Sequence, residues 1–256
     1  MAGFDDDLRF AHVLADAADD ITMRRFRALD LRVESKPDLT PVTDADLAAE
    51  ESLRHVLSRA RPRDAVLGEE TGLTGVGNRC WVLDPIDGTK NFVRGVPVWA
   101  TLIGLMVSGD VTVGVVSAPA LARRWWAARD GGAWTGRSLT KATNCQVSGV
   151  TKLADASLSY SGLTTWQEAG RLPEFLGLAG QTWRSRAYGD FWSHMLVAEG
   201  AVDILEYRPR NAHQTDARGA PIPRGGRGGS LRHRGRGRGG PPSVAPASVV
   251  KEAPSG

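Results

Sequence analysis

The sequence predicts an α+β layered sandwich whose second layer is cut short and followed by a disordered C-terminal tail. Three patterns carry that expectation. Two stretches near the front repeat their apolar residues at helical spacing, and the middle reads as an antiparallel meander. From Leu153 strands and helices alternate again, until the composition changes after residue 205. At 256 residues, 41% apolar and 24% charged, the chain is ordinary globular material, long enough for one large domain or two small ones.

Residues 6–28 form the first expected helix, with Leu8, Ala11, Ala15, Ala18 and Thr22 on one stripe and Leu14 and Ile21 beside it. Asp5, Asp6 and Asp7 stand at its start, where acids favour the helix dipole. Residues 31–34 read as a strand. Thr43 is placed to cap a second helix over 44–58, with Asp44 in its first turn and Arg61-Pro62 ending it. Residues 65–67 form a short strand that delivers Glu69 and Glu70.

Next comes the stretch Trp81-Val82-Leu83-Asp84-Pro85-Ile86-Asp87-Gly88-Thr89-Lys90-Asn91. It opens apolar, as a buried strand does, and breaks at Asp84-Pro85, since proline fixes its own φ and lacks an N–H. Asp, Pro and Gly are all turn residues, so D-P-x-D-G is compatible with a plain turn. It is equally compatible with a cation site, because hard divalent ions take several carboxylate and carbonyl oxygens at one point. Asp84, Asp87 and the Ile86 carbonyl are the candidate ligands, and Thr89 offers a hydroxyl that orients water.

Residues 91–97 read as a loop. Residues 98–107 and 111–117 are β-rich runs split by Ser108-Gly109-Asp110, a hairpin signal. Residues 124–128 and 133–134 extend the meander, and Trp99, Trp125, Trp126 and Trp134 are expected to fill core between sheet and helix. In the second half the expected order is strand 156–160, helix 172–179, strand 182–186, helix 190–199 closed by Gly200, and strand 201–205. His12, His55 and His194 fall in helical stretches and read as packing or surface residues.

Two cysteines, Cys80 and Cys145, are too few for a disulfide framework and have no metal-type spacing. The acidic N-terminus does not read as a signal peptide, and no apolar run has the length of a membrane span, so a cytoplasmic protein is expected. Net charge is divided unevenly. Residues 1–205 sum to −4 and residues 206–256 to +7. A mildly acidic body needs bound cations to accept an anionic ligand.

The tail is low in apolar residues. Of residues 218–242, 21 of 25 are Arg, Gly, Pro or Ala, a composition that cannot offset its ordering entropy by burial. It is read as an Arg-Gly RNA-binding segment, as a solvated linker, or as the product of a shifted reading frame. The third reading is favoured: codons for these residues are GC-rich, and the break falls inside an apparent strand at Ile204-Leu205.

Three motifs together, K-P-D-L-T-P-V-T-D at 36–44, G-E-E at 68–70 and W-x-x-D-P-I-D-G-T-x-N-F at 81–92, resemble the inositol monophosphatase family of Mg2+-dependent, lithium-sensitive phosphatases. The resemblance covers roughly residues 6–204. D-G-T-K-N-F, the run Arg123-Arg124-Trp125-Trp126-Ala127-Ala128-Arg129 and Arg186-Ala187-Tyr188-Gly189-Asp190-Phe191 resemble its actinobacterial histidinol-phosphatase branch.

That resemblance implies a layered α/β/α/β sandwich, with residues 1–205 as a phosphatase domain incomplete at its C-terminal end and 206–256 as a tail. It implies two or three Mg2+ ions, held by Glu69, Asp84, the Ile86 carbonyl and Asp87. Thr89, hydrogen-bonded to Asp44, would orient the attacking water, with Glu69 counted beside them in catalysis. Gly88, Thr89 and Lys90 would cradle phosphate, with Asp87 beside them. Lys36 would lie near the phosphate or a third ion. Arg186 and Asp190 would meet the substrate, Asp190 taking its ammonium group or else simply capping a helix.

The implied activity is hydrolysis of histidinol phosphate in histidine biosynthesis, with inositol-1-phosphate or a 3′-phosphonucleotide as the alternative substrate. RNA binding through the tail is the alternative of another class. The expected partner is a small phosphate ester, with neither membrane nor nucleic acid, and a homodimer fits the family. The family's last metal-binding aspartate sits in a Trp-Asp motif, and none follows Ile204. Asp216 has the wrong flanks. An impaired enzyme is therefore expected.

Overall fold

The computed structural model describes residues 4–37 and 39–205. Expectations about the Arg-Gly tail and Asp216 therefore lie outside the described residues. In chain order the elements are α1 (Asp5–Arg25), β1 (Val33–Ser35), β2 (Pro41–Thr43), α2 (Asp44–Ala60), β3 (Ala65–Gly68), β4 (Gly72–Thr74), β5 (Arg79–Asp87), α3 (Thr89–Val93) and β6 (Ala100–Val107). They continue with β7 (Asp110–Ala118), β8 (Arg123–Ala128), β9 (Gly132–Ser138), β10 (Lys141–Asn144), β11 (Ser157–Ser159), α4 (Leu163–Glu168), α5 (Leu172–Gln181), β12 (Arg184–Arg186), α6 (Asp190–Ala198) and β13 (Ile204–Leu205).

Eight strands form one sheet in the order β10-β9-β8-β7-β6-β5-β3-β4, antiparallel throughout except where β3 runs parallel to β5. Helices α1 and α2 cover one face. Ala11, Leu14, Ala15, Ala18, Leu53 and Leu57 pack there on Trp81, Leu83, Ile103, Leu105, Val113, Val115 and Trp126. The other face buries Ala100, Ala118 and Trp125 against Phe191 of α6. Trp125 and Trp126 thus serve opposite faces, as successive strand residues must. Beyond α6, β12-β11-β13 form a small parallel sheet, tied to that helix by the Ser159–Ser193 hydroxyl pair at 2.7 Å. The layers run α/β/α/β, as expected.

The caps and turns explain several boundaries. Thr43 and Asp46 close a capping box on α2, worth roughly 1 kcal/mol in such helices. Ser108 and Gly109 both take positive φ, 54° and 91°, in the β6–β7 hairpin. Trp81 is fully buried, its indole N–H donating to Asp64 Oδ2 at 3.0 Å, and Phe10 stands edge-on to it at 5.5 Å.

Three expectations are corrected. The break at Asp84-Pro85 is not the end of β5; the strand continues to Asp87 through a register shift that absorbs the missing proline N–H. The Pro85 carbonyl takes its donor from the Thr101 hydroxyl at 2.8 Å. The loop expected over 91–97 begins as helix α3, because Gly88, at φ 87°, turns the chain so that its carbonyl receives Asn91 N and Phe92 N. Trp134 is not core. Strand alternation turns Ala133 toward the Trp125–Phe191 cluster, and Trp134 lies on the opposite face, 36% exposed, outside the strands that α1 covers.

One buried pair predicts a pH effect. His12 of α1 stands edge-on to Trp126 at 4.9 Å, with Nδ1 3.3 Å from an Arg124 nitrogen. Burial, then the Arg124 guanidinium, lower its pKa from 6.5 to about 4, with Asp16 opposing. The unfolded ring binds a proton between those values and the folded ring does not, so stability falls as pH drops from 6.5 toward 4. For a partly desolvated ring the loss is about 2 kcal/mol. Asp19, raised by burial and also held by Arg124, acts in the opposite direction over part of that window. Denaturant melts of wild type and His12→Gln isolate the histidine: the pH slope between 6.5 and 4 should flatten in the variant.

Candidate metal centre and active site

The parallel pairing of β3 and β5 puts the two acidic motifs side by side. Gly68 lies opposite Leu83, and the ladder continues with Glu69 N donating to the Leu83 carbonyl at 3.0 Å. Glu69 therefore follows β3 just where Asp84 follows Leu83. Asp84 is raised well above the usual carboxylate range by burial, then by the charges of Asp87 and Glu69, with Asp46 adding to them. Its Oδ1 is buried without a hydrogen-bond partner. Like charges gathered in low dielectric with an unsatisfied oxygen call for a cation.

Lys36 is the protein's cationic partner here. Its Nζ lies 2.8 Å from Glu69 Oε1 and 2.8 Å from Glu70 Oε1, and these bonds raise its pKa against the opposing effect of burial. Glu70 is buried and its pKa is raised by that burial, although Lys36 counteracts it.

Asp87 faces the other way along the same turn. Its Oδ2 accepts the backbone N–H of Phe191 at 2.5 Å, so a carboxylate from β5 caps the start of α6. A side chain on Gly88 would meet the Val98 carbonyl at 3.0 Å and Asp190 Oδ2 at 3.5 Å, which places Asp190 against the same turn. Asp190 itself has a positive φ, 46°, strained for a non-glycine residue. Thr89, the first residue of α3, donates its hydroxyl to the Ile86 carbonyl at 3.0 Å. Lys90 is exposed on α3. The structure thus gathers Glu69, Asp84, Ile86, Asp87, Gly88, Thr89 and Asp190, with Lys36 at one side.

Asp44 and Arg186 make other contacts. Asp44 does not hydrogen-bond Thr89: its Oδ2 pairs with Arg25 at 2.7 Å, because the first turn of α2 points it at the end of α1. Arg186 is exposed at the end of β12 and donates to the adjacent Ser185 carbonyl at 2.7 Å.

The acid that α2 does supply is Asp46, two residues further on. It is fully buried, accepts the Thr43 N–H at 2.8 Å and hydroxyl at 2.6 Å, and keeps Oδ1 without a partner. Burial, with Glu70 and Glu69 nearby, pushes its pKa up to about 6 despite those hydrogen bonds. The Thr43-x-x-Asp46 capping spacing was the signal that could have found it. Glu50, also fully buried, was missed as well; nothing local marks it.

These carboxylates are neighbours without being clenched. Among the described residues no three His, Cys, Asp or Glu groups stand at metal-ligand spacing. Glu69 pairs with Lys36 while also touching Asp84, and Asp87 caps α6. The donor set of hard oxygens, with unsatisfied atoms on Asp84 and Asp46, nonetheless fits a divalent cation. Two open grooves lie away from it, one of about 450 Å3 along Leu31, Val33, Phe92 and Val93, one of about 510 Å3 beside Arg24, Arg25, Arg32 and Asp44.

A layered sandwich with neighbouring acids at strand ends beside a helix N-terminus, taken with the relatives below, makes this chain a phosphoric monoester hydrolase. The chain belongs to the inositol monophosphatase family, whose profile matches residues 5–216. That match passes the expected limit near residue 204 and takes in Asp216. Family enzymes of this kind are metal-dependent and act on small molecules.

The chain is 64% identical over 208 residues to a histidinol-phosphatase of Streptomyces coelicolor, covering 80% of this chain and 78% of that one. It is 58% identical over 200 residues to a histidinol-phosphatase of Mycobacterium tuberculosis, covering 78% and 77%. The solved structure of an inositol monophosphatase from Zymomonas mobilis aligns with TM-score 0.68 and 31% identity over 80% of this chain and 77% of the other. Among the described residues no helix is long and apolar enough to cross a membrane.

Proposed function

We propose that the chain hydrolyses histidinol phosphate in histidine biosynthesis with Mg2+ as cofactor. The observation that carries the chemistry is the buried, partnerless carboxylate oxygen of Asp84 among Asp87, Glu69 and Asp46. Similarity to two histidinol-phosphatases supports the choice of substrate.

Glu69, Asp84, the Ile86 carbonyl and Asp87 would hold two or three Mg2+ ions. Bound there, the ions would neutralise phosphate charge and assist departure of the substrate alkoxide. The protein's own groups do the rest. Thr89 and Asp46 would orient the attacking water, Asp46 replacing Asp44 in that role. Gly88, Thr89 and Lys90 would receive the phosphate, aided by the positive end of α6, whose first turn is already turned toward Asp87. Asp190, at the same turn, would take the substrate's ammonium group, which inositol-1-phosphate lacks.

A phosphate-release panel tests this. With Mg2+, histidinol phosphate should be hydrolysed at least about tenfold faster, by kcat/KM, than inositol-1-phosphate or a 3′-phosphonucleotide, a difference of roughly 1.4 kcal/mol in transition-state binding. EDTA should abolish it. Because no Trp-Asp pair follows Ile204, the rate should lie below that of a family enzyme that has one. Preference for inositol-1-phosphate would overturn the substrate, and undiminished turnover in EDTA would overturn the metal.

A further inference from the structure

Glu50 sits one helical turn beyond Asp46 on α2 and has no solvent exposure. Its carboxylate receives four donors. Oε1 accepts Arg54 Nε at 2.8 Å, the Thr71 hydroxyl at 2.5 Å and the Thr71 N–H at 3.1 Å, while Oε2 accepts the Glu70 N–H at 2.8 Å. Burial opposes its ionisation. The Thr71 hydroxyl, the Glu70 N–H and Arg54 outweigh that effect and hold the carboxyl below its ordinary range, so it stays an anion.

Apart from Arg54, every donor belongs to the turn that carries Glu69 and Glu70. Arg54 grips the same segment further along, donating to the Gly72 carbonyl at 2.5 Å and the Thr74 hydroxyl at 2.8 Å. From the opposite side, Gly68 leaves room for the acid. A Cβ at Gly68 would lie 2.0 Å from Glu50 Oε1, so glycine there is a condition of the contact. A buried glutamate filling core space alone would not need its oxygens saturated by one short turn.

We propose that Glu50 is the positioning residue of the metal centre: it pins the 68–71 turn from beneath and so fixes where Glu69 and Glu70 stand relative to Asp84. This rests on the metal-dependent reading above. Lys36 also holds Glu69 and Glu70, each at 2.8 Å, so a turn released from Glu50 would be left to that pairing alone.

The test is Mn2+ binding to the full chain, followed by electron paramagnetic resonance, alongside metal-free thermal melts and near-UV circular dichroism. Glu50→Gln sets an amide N–H2 against backbone N–H donors and should weaken Mn2+ binding about 10- to 100-fold in molecules that remain folded. Glu50→Asp keeps the charge and retreats by one methylene, so its affinity should fall between the two. Thr71→Val removes one donor and should cost about threefold in affinity. Gly68→Ala perturbs the contact from the other side and should weaken binding as well.

If Glu50→Gln does not fold, Thr71→Val decides. Wild-type Mn2+ affinity in a folded Glu50→Gln protein, or in Thr71→Val where the former is unfolded, overturns the proposal and leaves Glu50 a stability residue. Absence of Mn2+ binding by wild type itself overturns the metal reading and this inference with it, a result distinct from loss confined to the variants.

Discussion

Asp84→Asn should raise the unfolding midpoint of the metal-free protein and remove the further rise that Mg2+ gives the wild type. Both follow from one carboxylate. Without a cation, burial beside Asp87 and Glu69 favours the protonated form of Asp84, which costs free energy at pH above the ordinary carboxyl range, and one oxygen is unpartnered. Asparagine is neutral without taking up a proton and presents an amide that can donate to Glu69, relieving about 1–3 kcal/mol, the range for an unsatisfied buried polar group. For a domain of this size that is roughly 2–4 °C per kcal/mol. With Mg2+ at about 100 times its dissociation constant, the wild type should gain about 2.7 kcal/mol by mass action, whereas the variant should gain none. Hydrolysis should fall more than about 100-fold, beyond the loss expected from outer residues that merely support a ligand. Differential scanning calorimetry with and without Mg2+ checks the pair. A variant less stable than wild type in EDTA would mean that Asp84 is a structural hydrogen-bond acceptor and not an anion held for a cation.

The parts of this site that were legible in the sequence are those fixed by local rules. Thr43 announces α2 because a hydroxyl before an amphipathic stripe satisfies open N–H groups, and Gly88 marks a positive φ where only glycine is unstrained. The acids at 69, 84 and 87 were readable because two short apolar runs end in them. What was not legible depended on partners distant in sequence. The capping spacing from Thr43 sets Asp46 apart from Asp44, but which acid turns to the site depends on the packing of α1, which offers Arg25 to Asp44 and leaves Asp46 to face Glu70. Glu50 reads as one more helix-surface acid until β3 arrives beneath it. The short strands β4 and β10 and helix α4 have too few residues to show a period, and exist because neighbours offer them hydrogen bonds. Trp134 was misplaced for the same reason: burial at the sheet margin depends on how far α1 extends.

Asp87 tests whether the metal centre and the second layer are held together by one side chain. Its Oδ2 receives the Phe191 N–H, so it caps α6 across more than a hundred residues of sequence, while the same carboxylate adds to the charge that raises Asp84. Asparagine keeps an oxygen acceptor for the cap and discards the charge; alanine discards both. Asp87→Asn should therefore retain the metal-free unfolding midpoint within about 0.5 kcal/mol, the usual scatter of substitutions that break no named interaction. Asp87→Ala should lose about 1–2 kcal/mol, the usual worth of a helix cap. Both should bind Mg2+ at least about tenfold more weakly, because each lacks the anion. Melting curves and Mg2+ calorimetry on the two variants separate the roles. Equal melting points would show that α6 does not depend on this cap, and wild-type Mg2+ affinity in Asp87→Asn would remove Asp87 from the ligand set. The expected split, stability lost only in the alanine variant and affinity lost in both, follows because one oxygen meets a helix while the charge belongs to the whole group.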